Sequence, residues 1–163
     1  MTHRLILTRH AKSSWDHPGM RDHQRPLNKR GRASAHAVGK WLDENSFSPD
    51  QVLCSSAART RETLDRTSVS ANARFLDTLY HAGADIMLNE LQKASADTVM
   101  MIGHNPGIGE FAERLLRSFP NHPGFLSYPT CATLVADFDI ESWKDARFGT
   151  ATHVAFIVPR DLI

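Results

Sequence analysis

The apolar residues of the chain fall into short continuous runs separated by stretches with helical spacing. Leu5-Ile6-Leu7, Val52-Leu53-Cys54 and Val99-Met100-Met101-Ile102 are bounded by polar residues, the pattern of buried strands. Strands are therefore predicted at Leu5–Leu7, Gln51–Ser55 and Thr98–Ile102, with a weaker one at Arg74–Leu76. Two more are expected at Thr133–Asp137 and Val154–Val158. In the first, Leu134, Ala136 and Phe138 alternate with Val135 and Asp137, as in a partly exposed strand. Between these runs, Ala33, Ala37, Val38, Trp41 and Leu42 recur at helical spacing, behind Asn28 as a plausible N-cap and ending near Asn45. A second helix should follow Ser55-Ser56, with either serine as its cap. A third should run from about Ala84 to Ala94 on a stripe of Met87, Leu88 and Leu91. A fourth, after Gly107, carries Ile108, Phe111, Ala112, Leu115 and Leu116. Ser13–Pro26, Asp77–Gly83 and the proline-rich Pro120–Pro129 are loops, and Ile140–Gly149 is a connector. Ser13–Pro26 is long for a connection in a compact domain, and such loops are often functional.

Strands alternating with helices imply an α/β three-layer sandwich, a mainly parallel central sheet with helices on both faces. Ligands of such sheets sit beyond the carboxyl ends of the strands. Three predicted strands run out into polar residues there: Arg9-His10, Ser55 to Arg59, and His104-Asn105. The topology would gather these distant segments into one pocket.

Composition narrows the setting. A length of 163 residues suits a single domain spanning 1–163. A net charge near +1 supplies no basic field for nucleic acid. No apolar run approaches a membrane span, and the start Met-Thr-His-Arg has no apolar signal region. Cys54 and Cys131 stand far apart and demand no disulfide, so a reducing, cytoplasmic setting is expected. The nine histidines are scattered without metal-ligand spacing, so neither a metal nor another cofactor is expected.

Two arginines and two histidines converging without a metal cluster or a glycine-rich nucleotide loop describe a phosphate pocket. A guanidinium offers a rigid fork of donors that matches phosphate oxygens. A neutral imidazole is a nucleophile able to take a phosphoryl group. Arg9 and Arg59 would stabilise the equatorial oxygens, one histidine would attack phosphorus in line, and the other would donate a hydrogen bond.

Leu7-Thr8-Arg9-His10-Ala11, Arg59 in Ser55-Ser56-Ala57-Ala58-Arg59-Thr60-Arg61-Glu62-Thr63, and Gly103-His104-Asn105-Pro106 together resemble the histidine phosphatase superfamily, phosphoglycerate mutase-like, and most closely its SixA-type branch. The resemblance implies His10 as the phosphorylated nucleophile, with Arg9, Arg59 and His104 completing the pocket. Trp15-Asp16 falls where many relatives carry Trp-Asn, which makes Asp16 a secondary substrate-binding candidate. The sequence departs from the family pattern in three places. Ala11 replaces the usual glycine, and Ser55-Ser56 replaces Ser-Pro. The loop after the third strand, Leu79-Tyr80-His81-Ala82-Gly83-Ala84-Asp85, lacks the glutamate that many relatives use as general acid; His81 and Asp85 match it poorly.

Without an acid, the expected substrate carries a good leaving group: phosphohistidine on a protein, such as a histidine phosphotransfer domain, rather than an alkyl phosphate. The alternatives are a small-molecule phosphomonoesterase of the same superfamily and a non-catalytic phosphate-binding module. A cysteine phosphatase is disfavoured because Cys54 and Arg59 stand one residue too close for its loop. Cys54 is expected to be packing.

Overall fold

The structure is a computed structural model that describes all 163 residues. Six strands, β1 (Thr2–Arg9), β2 (Gln51–Ser55), β3 (Asn72–Leu76), β4 (Thr98–Gly103), β5 (Thr133–Asp139) and β6 (Thr152–Ile157), form one sheet in the order β3-β2-β4-β1-β5-β6. The pairings β3-β2, β2-β4 and β4-β1 are parallel; β1-β5 and β5-β6 are antiparallel. The sheet is thus mainly parallel, with an antiparallel pair added at one side.

Helices α1 (Lys29–Glu44) and α2 (Ala58–Thr67) cover one face, and α3 (Ala84–Leu91) and α4 (Gly107–Leu115) cover the other. Successive side chains of a strand point to opposite faces. Ile6, Met100 and Ile102 accordingly pack with Ala35, Val38 and Leu42 of α1. Leu5, Leu7 and Met101 pack with Met87, Ile108 and Phe111 on the opposite side. Burial on both faces explains why these strands appear as continuous apolar runs.

Several boundaries differ from the sequence reading. α3 stops at Leu91, and Leu116 lies in extended backbone just beyond α4. β5 is not half-exposed: Thr133 to Ala136 are all buried, because the strand is interior and Val135 joins the α1 side of the core. Asn28 does cap α1, its Oδ1 accepting the Gly31 N–H at 2.8 Å. Gly31 itself is required by close approach, since a side chain there would overlap the Lys12 carbonyl. Neither Ser55 nor Ser56 is the N-cap of α2. That residue is Ala57, and the serine side chains are engaged elsewhere.

Candidate active site

The four parallel strands end at the same edge of the sheet, so the residues that follow them are neighbours. Arg9 closes β1 and His10 follows it; Ser55 closes β2, with Arg59 in the first turn of α2; His104 follows β4. The rings of His10 and His104 lie 5.3 Å apart. His10, Arg59 and His104 are only 7%, 2% and 1% exposed.

Arg9, His10 and His104 are each tied to the protein through one nitrogen, and Arg59 through two. His10 Nδ1 lies 2.7 Å from the Ala11 carbonyl oxygen, which can only accept, so Nδ1 carries the proton and Nε2 keeps its lone pair. Burial is the main influence on His10. It outweighs the bond to Ala11 and, with the positive charges of Arg59, Arg9 and Arg25, pushes the imidazole down to about 3. The ring is therefore neutral at physiological pH.

His104 Nε2 lies 2.8 Å from Ser55 Oγ, which also accepts the Ala57 N–H at 3.4 Å. If Ser55 uses its hydroxyl proton on His104, the proton of that imidazole sits on Nδ1. Burial, followed by the charges of His10, Arg59 and His81, pushes His104 down to about 2. Arg9 donates through Nη1 to the Tyr128 carbonyl at 3.2 Å. Tyr128 is in turn fixed by its own hydroxyl on the Leu7 carbonyl and by Asn105 Nδ2 on its carbonyl. Arg9 Nε, Arg59 Nε and His104 Nδ1 are buried and have no hydrogen-bond partner. Buried polar groups are nearly always paired, so three unpartnered nitrogens on three residues of one cluster mark a place for an acceptor-rich ligand.

Beside this wall lies a second group, of which the sequence reading singled out only His81. A short 3-10 turn, Asp22–Gln24, lies within the long polar loop. Arg59 donates through Nη1 to the Asp22 carbonyl at 2.8 Å and through Nη2 to Asp22 Oδ2 at 3.0 Å. Tyr80 Oη and His81 Nε2 also bond to Oδ2, while Arg25 Nε donates to Oδ1 at 3.1 Å. Partial burial acts to raise the Asp22 pKa. Hydrogen bonds from Tyr80, Arg59 and Arg25 outweigh it and hold the carboxyl well below the usual carboxylate range. The turn is joined to the sheet edge through His23 Nε2 on Ser56 Oγ, and from there to Asp77. Arg25 ties the loop together through Ser13 and Ser14 and stacks on the exposed Trp15 ring at 3.6 Å.

The remaining candidates separate clearly. Asp16 is exposed and makes no hydrogen bond or ion pair with the four residues; its backbone N–H bonds Ser14 Oγ. His81 lies against the His104 ring at 5.1 Å. Asp85 is exposed at the start of α3 and pairs with Arg114 at 3.5 Å. Cys54 is buried in β2, and burial pushes its thiol up to about 12, far from the thiolate that a nucleophile requires.

Two arginines and two histidines at the carboxyl edge of this sheet define a phosphoglycerate mutase-like protein. The comparisons narrow it further. A profile of the histidine phosphatase superfamily (branch 1) matches residues 5–79. An uncharacterized protein of Mycobacterium tuberculosis is 34% identical over 160 residues, covering 93% of this chain and 99% of its own. The solved structure named "putative phosphohistidine phosphatase SixA" from Nakamurella multipartitia is 32% identical, with a TM-score of 0.85 over 98% of this chain and 97% of that one. A protein of the same name from Agrobacterium tumefaciens is 26% identical, with a TM-score of 0.78 over 96% of this chain and 99% of that one. The chain belongs to the histidine phosphatase superfamily, in its SixA-type branch.

Proposed function

We propose that the chain is a single-domain, metal-independent phosphatase of cytoplasmic phosphoproteins that transfers the phosphoryl group to His10 and then to water. The observation that carries this reading is the set of four side chains, each held in place through one or two nitrogens and each retaining another without a partner. His10 Nε2 attacks phosphorus with its lone pair as the bond to the leaving group breaks; the resulting N-phosphorylated ring keeps its Nδ1 proton on Ala11. Arg9, Arg59 and His104 Nδ1 donate to the three phosphoryl oxygens, where charge is spread in the transition state. Water then attacks phosphorus, the P–N bond breaks, and its electron pair returns to Nε2, restoring neutral imidazole and releasing inorganic phosphate.

The favoured substrate is phosphohistidine, as a histidine phosphotransfer domain would present it. The carboxylate nearest the pocket, Asp22, is held ionised by its donors and so brings no proton at neutral pH. A protonated imidazole leaves without further help, whereas a serine or sugar alkoxide needs a proton donor. The test is kcat/KM for a phosphohistidine protein, a phosphoserine peptide and a sugar phosphate, measured with and without EDTA. The phosphohistidine protein should be turned over fastest and EDTA should change nothing. A faster rate on the alkyl phosphates contradicts the substrate assignment, and loss of activity in EDTA contradicts metal independence.

A further inference from the structure

The contacts of Asp22 have the character of a bound phosphoryl oxygen. One carboxylate oxygen takes a guanidinium, a phenol and an imidazole, the donor set that suits a charged oxygen acceptor. Together with its own backbone carbonyl, residue 22 engages both terminal amino groups of Arg59. A phosphoryl dianion brought to the same guanidinium must share Nη2 with a carboxylate of like charge, and like charges at hydrogen-bond range repel strongly.

The same carboxylate fastens the cover of the site. The Tyr80 and His81 rings lie 5.4 and 5.1 Å from the His104 ring, and the Arg59 guanidinium lies 6.0 Å from the Tyr80 ring. Both cover residues are bonded to Asp22 Oδ2. His81 also sits at a φ of 53°, in the left-handed region that residues other than glycine rarely adopt. With this clasp made, His10, Arg59 and His104 are almost fully enclosed. A phosphoryl group takes both terminal nitrogens of Arg59 only if the clasp opens.

We propose that Asp22 is an internal competitor of the phosphoryl group: substrate displaces its carboxylate from Arg59, and its return helps to expel inorganic phosphate. The proposal rests on the phosphatase reading for its physiological meaning, but the competition itself is a matter of anion binding. It also differs in sign from a purely positioning role. If Asp22 served only to orient Arg59, removing its charge would weaken oxyanion binding. As a competitor, its removal strengthens binding, because apparent affinity scales with the fraction of molecules that are binding-competent.

The experiment is calorimetric binding of inorganic phosphate to the full chain, comparing wild type, Asp22→Asn and Tyr80→Phe. Asp22→Asn should bind phosphate about tenfold more tightly or better, as expected if the open form is a minority of roughly a tenth or less. Tyr80→Phe keeps the carboxylate but removes one bond of the clasp, and should shift affinity the same way by a smaller factor. In turnover, Asp22→Asn should lower KM and the phosphate inhibition constant together, with a lower kcat from slower release. Unchanged or weaker phosphate binding in a folded Asp22→Asn protein overturns the proposal. If that variant does not fold, unchanged or weaker binding in Tyr80→Phe does so. Tighter phosphate binding in a protein that hydrolyses no phosphoryl substrate would leave the competition standing and contradict the phosphatase reading. Absence of phosphate binding in all three proteins overturns both.

Discussion

The wall of the site and the cover over it are held by opposite means. Arg9, His10 and His104 are each anchored to a partner on the sheet edge or the loops packed against it: the Tyr128 carbonyl, the Ala11 carbonyl and Ser55 Oγ. Asp22, Tyr80 and His81 are instead bonded to one another, and two of them are roughly half-exposed. Arg59 belongs to both groups, reaching from the buried face of α2 to the Asp22 carboxylate. A wall built on strand ends has little freedom, which suits groups that must meet phosphorus in one geometry. A cover whose bonds are mutual and near solvent can exchange them for water or ligand at small cost, because exposed ion pairs are worth little.

The largest expected effect comes from breaking the wall. Arg59→Ala removes a preorganised donor and should reduce kcat/KM by a factor on the order of 100 to 1,000, about 3 to 4 kcal/mol of transition-state stabilisation. Arg59→Lys should recover only part of this, since an ammonium lacks the two-pronged fork. Steady-state kinetics on an aryl phosphate checks both, and a near-wild-type rate in Arg59→Ala would move that residue from the wall to the cover.

The ease of reading these two regions from sequence follows the same division. Arg9 ends, and His10 and His104 follow, strands that announce themselves as apolar runs, and Arg59 lies in the first turn of the helix after a third. The parallel topology then brings their positions together. The cover offers no such periodicity. Asp22 lies in a 3-10 turn inside a polar loop, where one carboxylate looks like another from sequence. Family position favours Asp16, yet Asp22, six residues later, meets Arg59. The length of the Ser13–Pro26 loop was the available signal, and it pointed to a segment without choosing a residue. Ser55 was legible as a possible helix cap but bonds His104, a choice settled only when β2 and β4 are placed side by side. Tyr128 was hidden within a proline-rich loop; its part in holding Arg9 depends on burial that no local pattern reveals.

A smaller effect should appear in stability. His10 and His104 are pushed down to about 3 and about 2, from an ordinary 6.5. Between those values the unfolded chain binds protons that the folded chain refuses, so stability falls as pH drops below 6.5. The loss should reach roughly 2 kcal/mol per imidazole by about pH 5. Urea denaturation across this range measures it. His10→Gln should show a shallower acid dependence than wild type, and identical slopes would mean that His10 is not kept neutral by burial.

The smallest effect is expected at Cys54, adjacent in sequence to Ser55 yet packed into the α1 side of the core. Cys54→Ser should keep most of the activity and cost about 1 kcal/mol of stability. Iodoacetamide should inactivate the native protein slowly, as a buried thiol held near 12 requires. Loss of turnover in a folded Cys54→Ser protein would place the thiol in the wall.

The most direct test is to trap the phosphoenzyme by rapid quench into alkali and locate the phosphoryl group by mass spectrometry and by the two phosphohistidine standards. The bond from His10 Nδ1 to the Ala11 carbonyl leaves only Nε2 free. The predicted result is stoichiometric, acid-labile phosphorylation of His10 on Nε2, absent in His10→Ala. Phosphate on Nδ1, on another residue, or on no residue during active turnover would contradict the account.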